Sequence, residues 1–261
     1  MKRKTRRRID MWWLAVAACI VLCLLSGGML ARELMLAAKE RDANRLLSQR
    51  VSDLRTEAGS LATAEMYAPS GNLLIYDSLW QENHDMAGWL SIEGLEIDLP
   101  VMYTPFEQDY YLHRGFDGSD ARSGSLFLAE GWNPEANHAI IYGHNMKDGS
   151  MFGKLDQYQA LEFAQEHPVI RFDTLTQRRE YTVIAAFYSQ VFDPSQTAGF
   201  HYDQYVNLSE KERFEDYLEQ VGRVALYRTG EDVQFGDWLL TLSTCSYHKD
   251  NGRFVVVARQ K

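Results

Sequence analysis

The sequence predicts a mainly β domain of the α+β class: eight short strands, closed into a barrel or stacked as a sandwich, behind one apolar helix. Three observations lead there. From Met86 onward the chain breaks into short apolar, β-branched runs divided by turn signals. Residues 32–64 are instead rich in Ala, Leu, Glu, Arg and Lys, without proline. Residues 11–31 carry no charge at all. Four segments follow: a basic start (1–10), an apolar span (11–31), a helical spacer with N-terminal helices (32–85) and a folded domain (86–261).

The apolar span comes first. Its 21 residues, at about 1.5 Å each, reach roughly 31 Å, about one bilayer core. Lys2, Arg3, Lys4, Arg6, Arg7 and Arg8 precede it, so residues 1–10 are expected in the cytoplasm and everything after Arg32 outside. A cleaved signal peptide is the competing reading, because Ser26-Gly27-Gly28 is small and the start is basic. The run exceeds a usual signal core, and Trp12 and Trp13 sit where an interfacial belt belongs, which favours an uncleaved anchor. Cys19 and Cys23 lie within it as apolar filler. The whole chain is −9, and removing the first ten residues leaves 21 basic and 35 acidic residues, a balance of −14. A domain that acidic is a poor partner for nucleic acid, and none is expected.

In the spacer, Leu47, Val51, Leu54, Ala58 and Leu61 recur at helical spacing. The stripe suits either a coiled-coil contact or packing on the following domain; its shortness and the alanine favour packing. Ser70-Gly71-Asn72 breaks the chain, and residues 73–83 read as a second short helix. Strands are then predicted at Gly88–Ile92, Ile97–Tyr103, Gly124–Leu128, Ala139–Tyr142, Val169–Phe172, Tyr181–Ser189, Trp238–Thr244 and Phe254–Ala258. Closure into a barrel would remove exposed edges. One helix, at 209–222, falls between the sixth and seventh strands. Ser209 is its predicted N-cap, Glu212 completes a capping box, and Phe214, Leu218 and Val221 form its apolar face.

The last two strands form a hairpin around Asp250-Asn251-Gly252. Alternation puts Cys245 on one face with Ser243 and Thr241, while Leu240 and Leu242 face the other way. Arg253 opens the returning strand across the turn from Cys245. A lone strand-end cysteine is commonly a small buried hydrophobe, but Cys245 is the only cysteine beyond residue 30, so the folded part offers it no disulfide partner. A thiolate is a strong nucleophile that divides amide transfer into two steps through a thioester. A guanidinium suits a developing oxyanion or a grip on substrate backbone. A histidine can supply and recover the proton. His138, His144 and His248 all lie near candidate strands. His248, three residues after Cys245, reads as a solvated loop residue. His138 and His144 are about 20 Å apart along an extended strand, so only one can reach the cysteine end. Gly143 permits close backbone approach beside His144.

These residues resemble the sortase family. T-L-S-T-C (241–245) with the Arg of N-G-R-F-V-V-V eight positions later is similar to the sortase catalytic hairpin, and I-I-Y-G-H-N-M-K-D-G-S-M-F-G-K-L to the segment carrying the sortase histidine. G-W-L-S-I-E-G-L-E-I-D-L-P-V-M (88–102) and Y-Y-L-H-R-G-F-D-G-S (110–119) with S-G-S-L-F-L (123–128) extend the likeness over residues 73–261. The N-terminal helices and the helix at 209–222 point to class B. The resemblance implies a closed eight-stranded sortase-type β-barrel outside a Gram-positive membrane, with catalytic Cys245, His144 and Arg253. Its expected activity is cysteine transpeptidation: cleavage of a C-terminal sorting signal after Thr in a surface-protein precursor, then transfer to a peptidoglycan amine. It also implies a substrate groove lined by Leu112 and Ser243, with Thr244 beside them. The segment 189–208 should form one wall, with Tyr188 or Phe192 as apolar contacts. Gln108 stands where the family often has Asn. No tight acidic cluster suggests calcium, and no metal or cofactor is expected.

Three readings stay open: the class B transpeptidase (or a pilus-polymerising relative), another cell-wall thiol peptidase, and a tethered scaffold with an inert cysteine. Ser-Thr-Cys-Ser lacks the Gly-Cys-Arg signature usual for L,D-transpeptidases.

Overall fold

A computed structural model describes residues 11–59, 66–192 and 199–261. The chain divides into two compact units, residues 1–43 and 44–261. Helix α1 (Met11–Ala58) runs through the apolar span and on into the spacer. The sequence expectation of an edge at Arg32 is thus an edge of polarity, not of backbone, because no proline interrupts the helix formers on either side. In the first unit Trp12, Leu22 and Leu25 are exposed, and Cys19 and Cys23 are free. Among the described residues, α1 is the one helix long and apolar enough to cross a membrane.

The second unit is built on a barrel. Its strands are β1 (Met86–Ile92), β2 (Ile97–Met102), β3 (Leu126–Leu128), β4 (His138–Tyr142), β5 (Val169–Thr174), β6 (Glu180–Gln190), β7 (Tyr227–Arg228), β8 (Leu239–Ser246) and β9 (Gly252–Gln260). Hydrogen bonding follows the order β5-β1-β2-β3-β4-β8-β9-β6, and β6 pairs back onto β5, closing eight strands. The sandwich alternative is thereby excluded. The two-residue β7, which the sequence does not announce, adds to the outer side of β6. Most pairs are antiparallel; β2–β3 and β4–β8 are parallel.

Three apolar layers hold this barrel. Its interior packs Leu90, Ile92, Val101, Ile141, Leu242 and Val256. Outside β4, β8 and β9, residues Ile140, Leu239, Val255 and Val257 meet helix α4 (Lys211–Val224) through Phe214, Tyr217 and Val221. On another flank Trp89, Met102 and Phe127 pack against Ile75, Tyr76 and Leu79 of helix α2 (Leu74–Glu82) and against Leu47, Val51 and Ala58 of α1. Strands covered on both faces read as continuous apolar runs, which is why β8 and β9 stand out in the sequence. The spacer stripe therefore packs on the domain; Leu61, its last predicted member, lies outside the described residues.

Two helical expectations need correction. Ser209 does not cap α4: its N–H donates to Asn207 Oδ1 at 2.9 Å in an Asx turn, Glu210 takes the cap position, and no side chain bonds there. Tyr217 shares the buried face with Phe214 and Val221, while Leu218 is only partly covered. A six-residue helix, α3 (Leu161–Glu166), also lies between β4 and β5.

Asp98 on β2 is a polar hub between layers. Oδ1 accepts from Trp89 Nε1 (2.6 Å), Ser91 Oγ (2.6 Å) and Arg55 Nη1 (3.1 Å), while Oδ2 accepts from Ser48 Oγ (2.8 Å). Burial opposes the charge on Asp98, but the Ser91 and Trp89 bonds, the Arg55 guanidinium and the Ser48 bond together hold its carboxyl below the usual range.

Candidate active site

The parallel pair β4–β8 sets the site. Tyr142 lies beside Ser243, and Gly143 N–H donates to the Ser243 carbonyl at 3.2 Å. Beyond the strand ends, side chains continue the zipper. Thr244 Oγ1 donates to the Gly143 carbonyl at 2.8 Å, and Asn145 Nδ2 donates to the Cys245 carbonyl at 2.8 Å. Extending the register by two residues sets His144 alongside Cys245. Gly143 is required by close packing: a Cβ there would stand 2.5 Å from Leu126 Cδ2 and 2.7 Å from Phe152 Cδ2.

The antiparallel pair β8–β9 supplies the rest. Cys245 pairs with Arg253, and Arg253 Nη1 donates to Cys245 Sγ at 3.1 Å. On its other side Arg253 pairs with Ser189 of β6, so the guanidinium strand is held between two neighbours. The turn between β8 and β9 needs Gly252, whose Cβ would meet the Ser246 carbonyl oxygen at 2.4 Å. Asn251 before it adopts φ 54°, the left-handed conformation that asparagine tolerates.

A 3-10 turn, Gln108–His113, covers the histidine. Tyr111 pins this turn: its ring is buried, its hydroxyl donates to Asp85 Oδ2 (2.9 Å), and Asn83 Nδ2 donates to it (2.8 Å). The next carbonyl, of Leu112, lies 2.8 Å from His144 Nε2. A carbonyl only accepts, so Nε2 carries a hydrogen and Nδ1 is left for proton exchange. Burial pushes the His144 imidazole below its ordinary value; the Leu112 carbonyl opposes this, while His113 and Arg253 reinforce it.

Cys245, His144 and Arg253, all half-buried, line one cleft of about 400 Å³ together with Leu112, Ser243 and Thr244. Ser243 Oγ shares a 2.7 Å hydrogen bond with Tyr202 OH, which burial pushes up to about 12. Gln108 lines the cleft too. Of the wall expected from 189–208, Gln190, Val191, Tyr202 and Asp203 line the cleft. Residues 193–198 lie outside the described ones. Phe192 packs on the His201 ring at 4.3 Å.

Tyr188 is placed differently from the sequence expectation. It pairs with Phe254 on β9, packs on that ring (5.1 Å) and on His248 (4.6 Å), and donates its hydroxyl to Gln159 Oε1 at 3.0 Å. Strand alternation gives Ser189 and Tyr188 opposite faces, and Tyr188 is not among the cleft-lining residues. His248 is exposed in the turn. His138 is fully buried, with Nδ1 2.5 Å from the Tyr205 carbonyl and Nε2 2.9 Å from Thr241 Oγ1. Sequence reasoning missed Tyr142, Phe127, Asp109 and Asn145 at the site. The apolar alternation of β4 could have flagged Tyr142, whereas Asp109 and Asn145 are visible only once the turns are folded. Among the described residues, no group of three or more His, Cys, Asp or Glu is placed to hold a metal.

Comparison with known proteins matches residues 90–261 to the Sortase domain family. A sortase B of Listeria monocytogenes is 36% identical over 178 residues, covering 67% of this chain and 69% of that protein. One from Staphylococcus aureus is 29% identical over 188 residues, 70% and 73% respectively. Among solved structures, a Staphylococcus aureus sortase B–substrate complex superposes with TM-score 0.73 at 24% identity, over 87% of this chain and 98% of that one. That likeness speaks for fold. Bacillus anthracis sortase B in complex with AAEK1 gives TM-score 0.70 at 27% identity, over 87% and 98%. A domain match across the barrel and two sortase B relatives lead to one conclusion: this chain belongs to the sortase family, class B, a group of cell-wall cysteine transpeptidases.

Proposed function

We propose that this sortase cuts a C-terminal sorting signal after its threonine, holds the protein as a thioester on Cys245, and passes it to an amine of the peptidoglycan. The observation that carries the reading is the contact of Arg253 Nη1 with Cys245 Sγ at 3.1 Å in the cleft that His144 also lines.

Each step uses groups already placed there. The Cys245 thiol gives its proton to His144 Nδ1, and the resulting thiolate attacks the threonine carbonyl carbon while the C=O electron pair moves to oxygen. Arg253, permanently charged, stabilises that oxyanion or holds the neighbouring backbone. When the C–N bond breaks, the departing amine takes a proton from His144 Nδ1, and the C–S bond remains. The incoming amine gives its proton back to Nδ1 as it attacks the thioester, and sulfur leaves as thiolate. The Leu112 carbonyl keeps the ring oriented throughout. Leu112, Ser243 and Thr244 line the groove that takes the sorting signal, with Val191 and with Tyr202, which is bonded to Ser243, beside them.

Residues 11–31 anchor the enzyme, with residues 1–10 in the cytoplasm and the barrel outside. The basic cluster supports that orientation, and among the described residues one helix is long and apolar enough to serve as the anchor. The full chain in detergent, incubated with L-P-x-T-G, N-P-x-T-N and S-P-x-T-G peptides, tests the chemistry. Mass spectrometry should find a Thr-terminated acyl adduct on Cys245 that an added amine discharges. Absence of that adduct with all three peptides would overturn the reading.

A further inference from the structure

We propose that His113 is a positioning residue that sets the proton affinity of His144, acting through ring stacking and charge rather than by touching substrate. Its ring lies over that of His144, with centroids 5.4 Å apart and planes inclined by 23°. The arrangement is built in, because the carbonyl that pins His144 Nε2 belongs to Leu112, the residue next to His113. One short turn therefore fixes both the orientation of the working imidazole and the distance of the second ring. The C-terminal half of that turn is held twice: the Tyr111 carbonyl accepts from Ser125 N–H, and the His113 carbonyl from Ala121 N–H, each at 3.0 Å.

A near-parallel pair of imidazoles cannot take two protons freely. At about 5 Å the repulsion between two cations amounts to roughly half a pH unit even in high dielectric. Other titratable or charged groups lining the same cleft are Arg253 from β9, Cys245 from β8, Tyr142 from β4, Asp109 on the 3-10 turn, and Tyr202 and Asp203. Among the charged groups acting on His144, His113 and Arg253 both oppose a further positive charge. Of the two rings, His113 is the exposed one. A positive charge at position 113 is therefore felt by the His144 ring.

The consequence rests on the proposed role of His144. A proton held less tightly is handed more readily to a leaving amine, while a smaller share of the enzyme carries it. His113 sets that balance.

The test is a charge series in the full chain in detergent: His113→Lys, His113→Gln and His113→Glu. The His144 ring is titrated by NMR in histidine-labelled protein and assigned through His144→Gln. The His144 midpoint should rise in the order Lys, Gln, Glu, with Gln about half a pH unit above Lys at low ionic strength. The limb of the kcat/KM profile that reports His144 should move the same way. A purely structural role would not sort variants by charge, so equal midpoints across the series would overturn the proposal. The titration needs no turnover, so it stands or falls separately from acyl-enzyme formation.

Discussion

Arg253 stands opposite Cys245 in the β8–β9 register, and its Nη1 donates to the sulfur at 3.1 Å. A fixed cation at that distance serves a negative sulfur before attack and a negative oxygen after it, without reorganising between the two. Arg253→Ala is expected to lower kcat/KM by about 10²–10³, the usual cost of an oxyanion donor. Arg253→Lys should recover only part, since an ammonium lacks the planar fork of donors. Steady-state transfer of a sorting peptide measures both, with melting curves to confirm folding.

Asn145 tests the zipper. Its Nδ2 holds the Cys245 carbonyl at 2.8 Å and ties the histidine loop to the cysteine strand. Asn145→Ala is expected to cut kcat by about ten- to a hundredfold with little change in KM, because reacting groups lose alignment rather than substrate losing contacts. The stability loss should stay near 1 kcal/mol, read by urea unfolding.

His138 predicts an acid weakness. Burial pushes its pKa down to about 4, against the Tyr205 carbonyl, so the folded protein takes up this proton less readily than the unfolded chain. Stability is therefore full above the ordinary histidine value near 6.5 and falls as pH drops toward about 4, by roughly 3 kcal/mol. His138→Gln should flatten urea midpoints measured between pH 7 and 4.5. An unchanged slope would sink the argument.

Asp98→Asn should cost about 2–3 kcal/mol at pH 7, the scale of hydrogen bonds to a charged group. The folded carboxyl is depressed, so its contribution is present above the ordinary carboxylate range and is lost as pH falls through the folded value. The variant should lose that acid dependence together with the stability. Thermal melts at pH 7 and pH 3 would show both.

Much of this was legible in the sequence because of where the site sits. Cys245 and Arg253 are joined by a five-residue turn, so strand alternation and hairpin pairing fix their meeting locally. All eight barrel strands carry apolar runs bounded by turn signals, and those runs announce them. His144 needed more: its place beside Cys245 depends on a parallel pairing across about a hundred residues, which only the family motif signalled. The facing wall was legible as a segment but not by residue. Tyr188 and Val191 are similar in polarity, and a strand register decides which one reaches the cleft. Ser209 failed as a cap because Asn207, two positions earlier, offered its N–H a better local partner. The two-residue β7 is too short to carry any periodic signal.

The parallel junction of β4 with β8 has an evolutionary reach. Nucleophile and proton carrier come from two adjoining strand ends, although the chain between them, from Met146 to Trp238, supplies strands β5 and β6 and helix α4 before it returns as β8. Within that stretch β6 must stay, because it flanks Arg253, but the connection between β6 and α4, which brings Val191 and Asp203 to the cleft, can be redecorated without altering the junction. New clients are thus open to this enzyme by grafting a foreign wall segment onto an untouched engine.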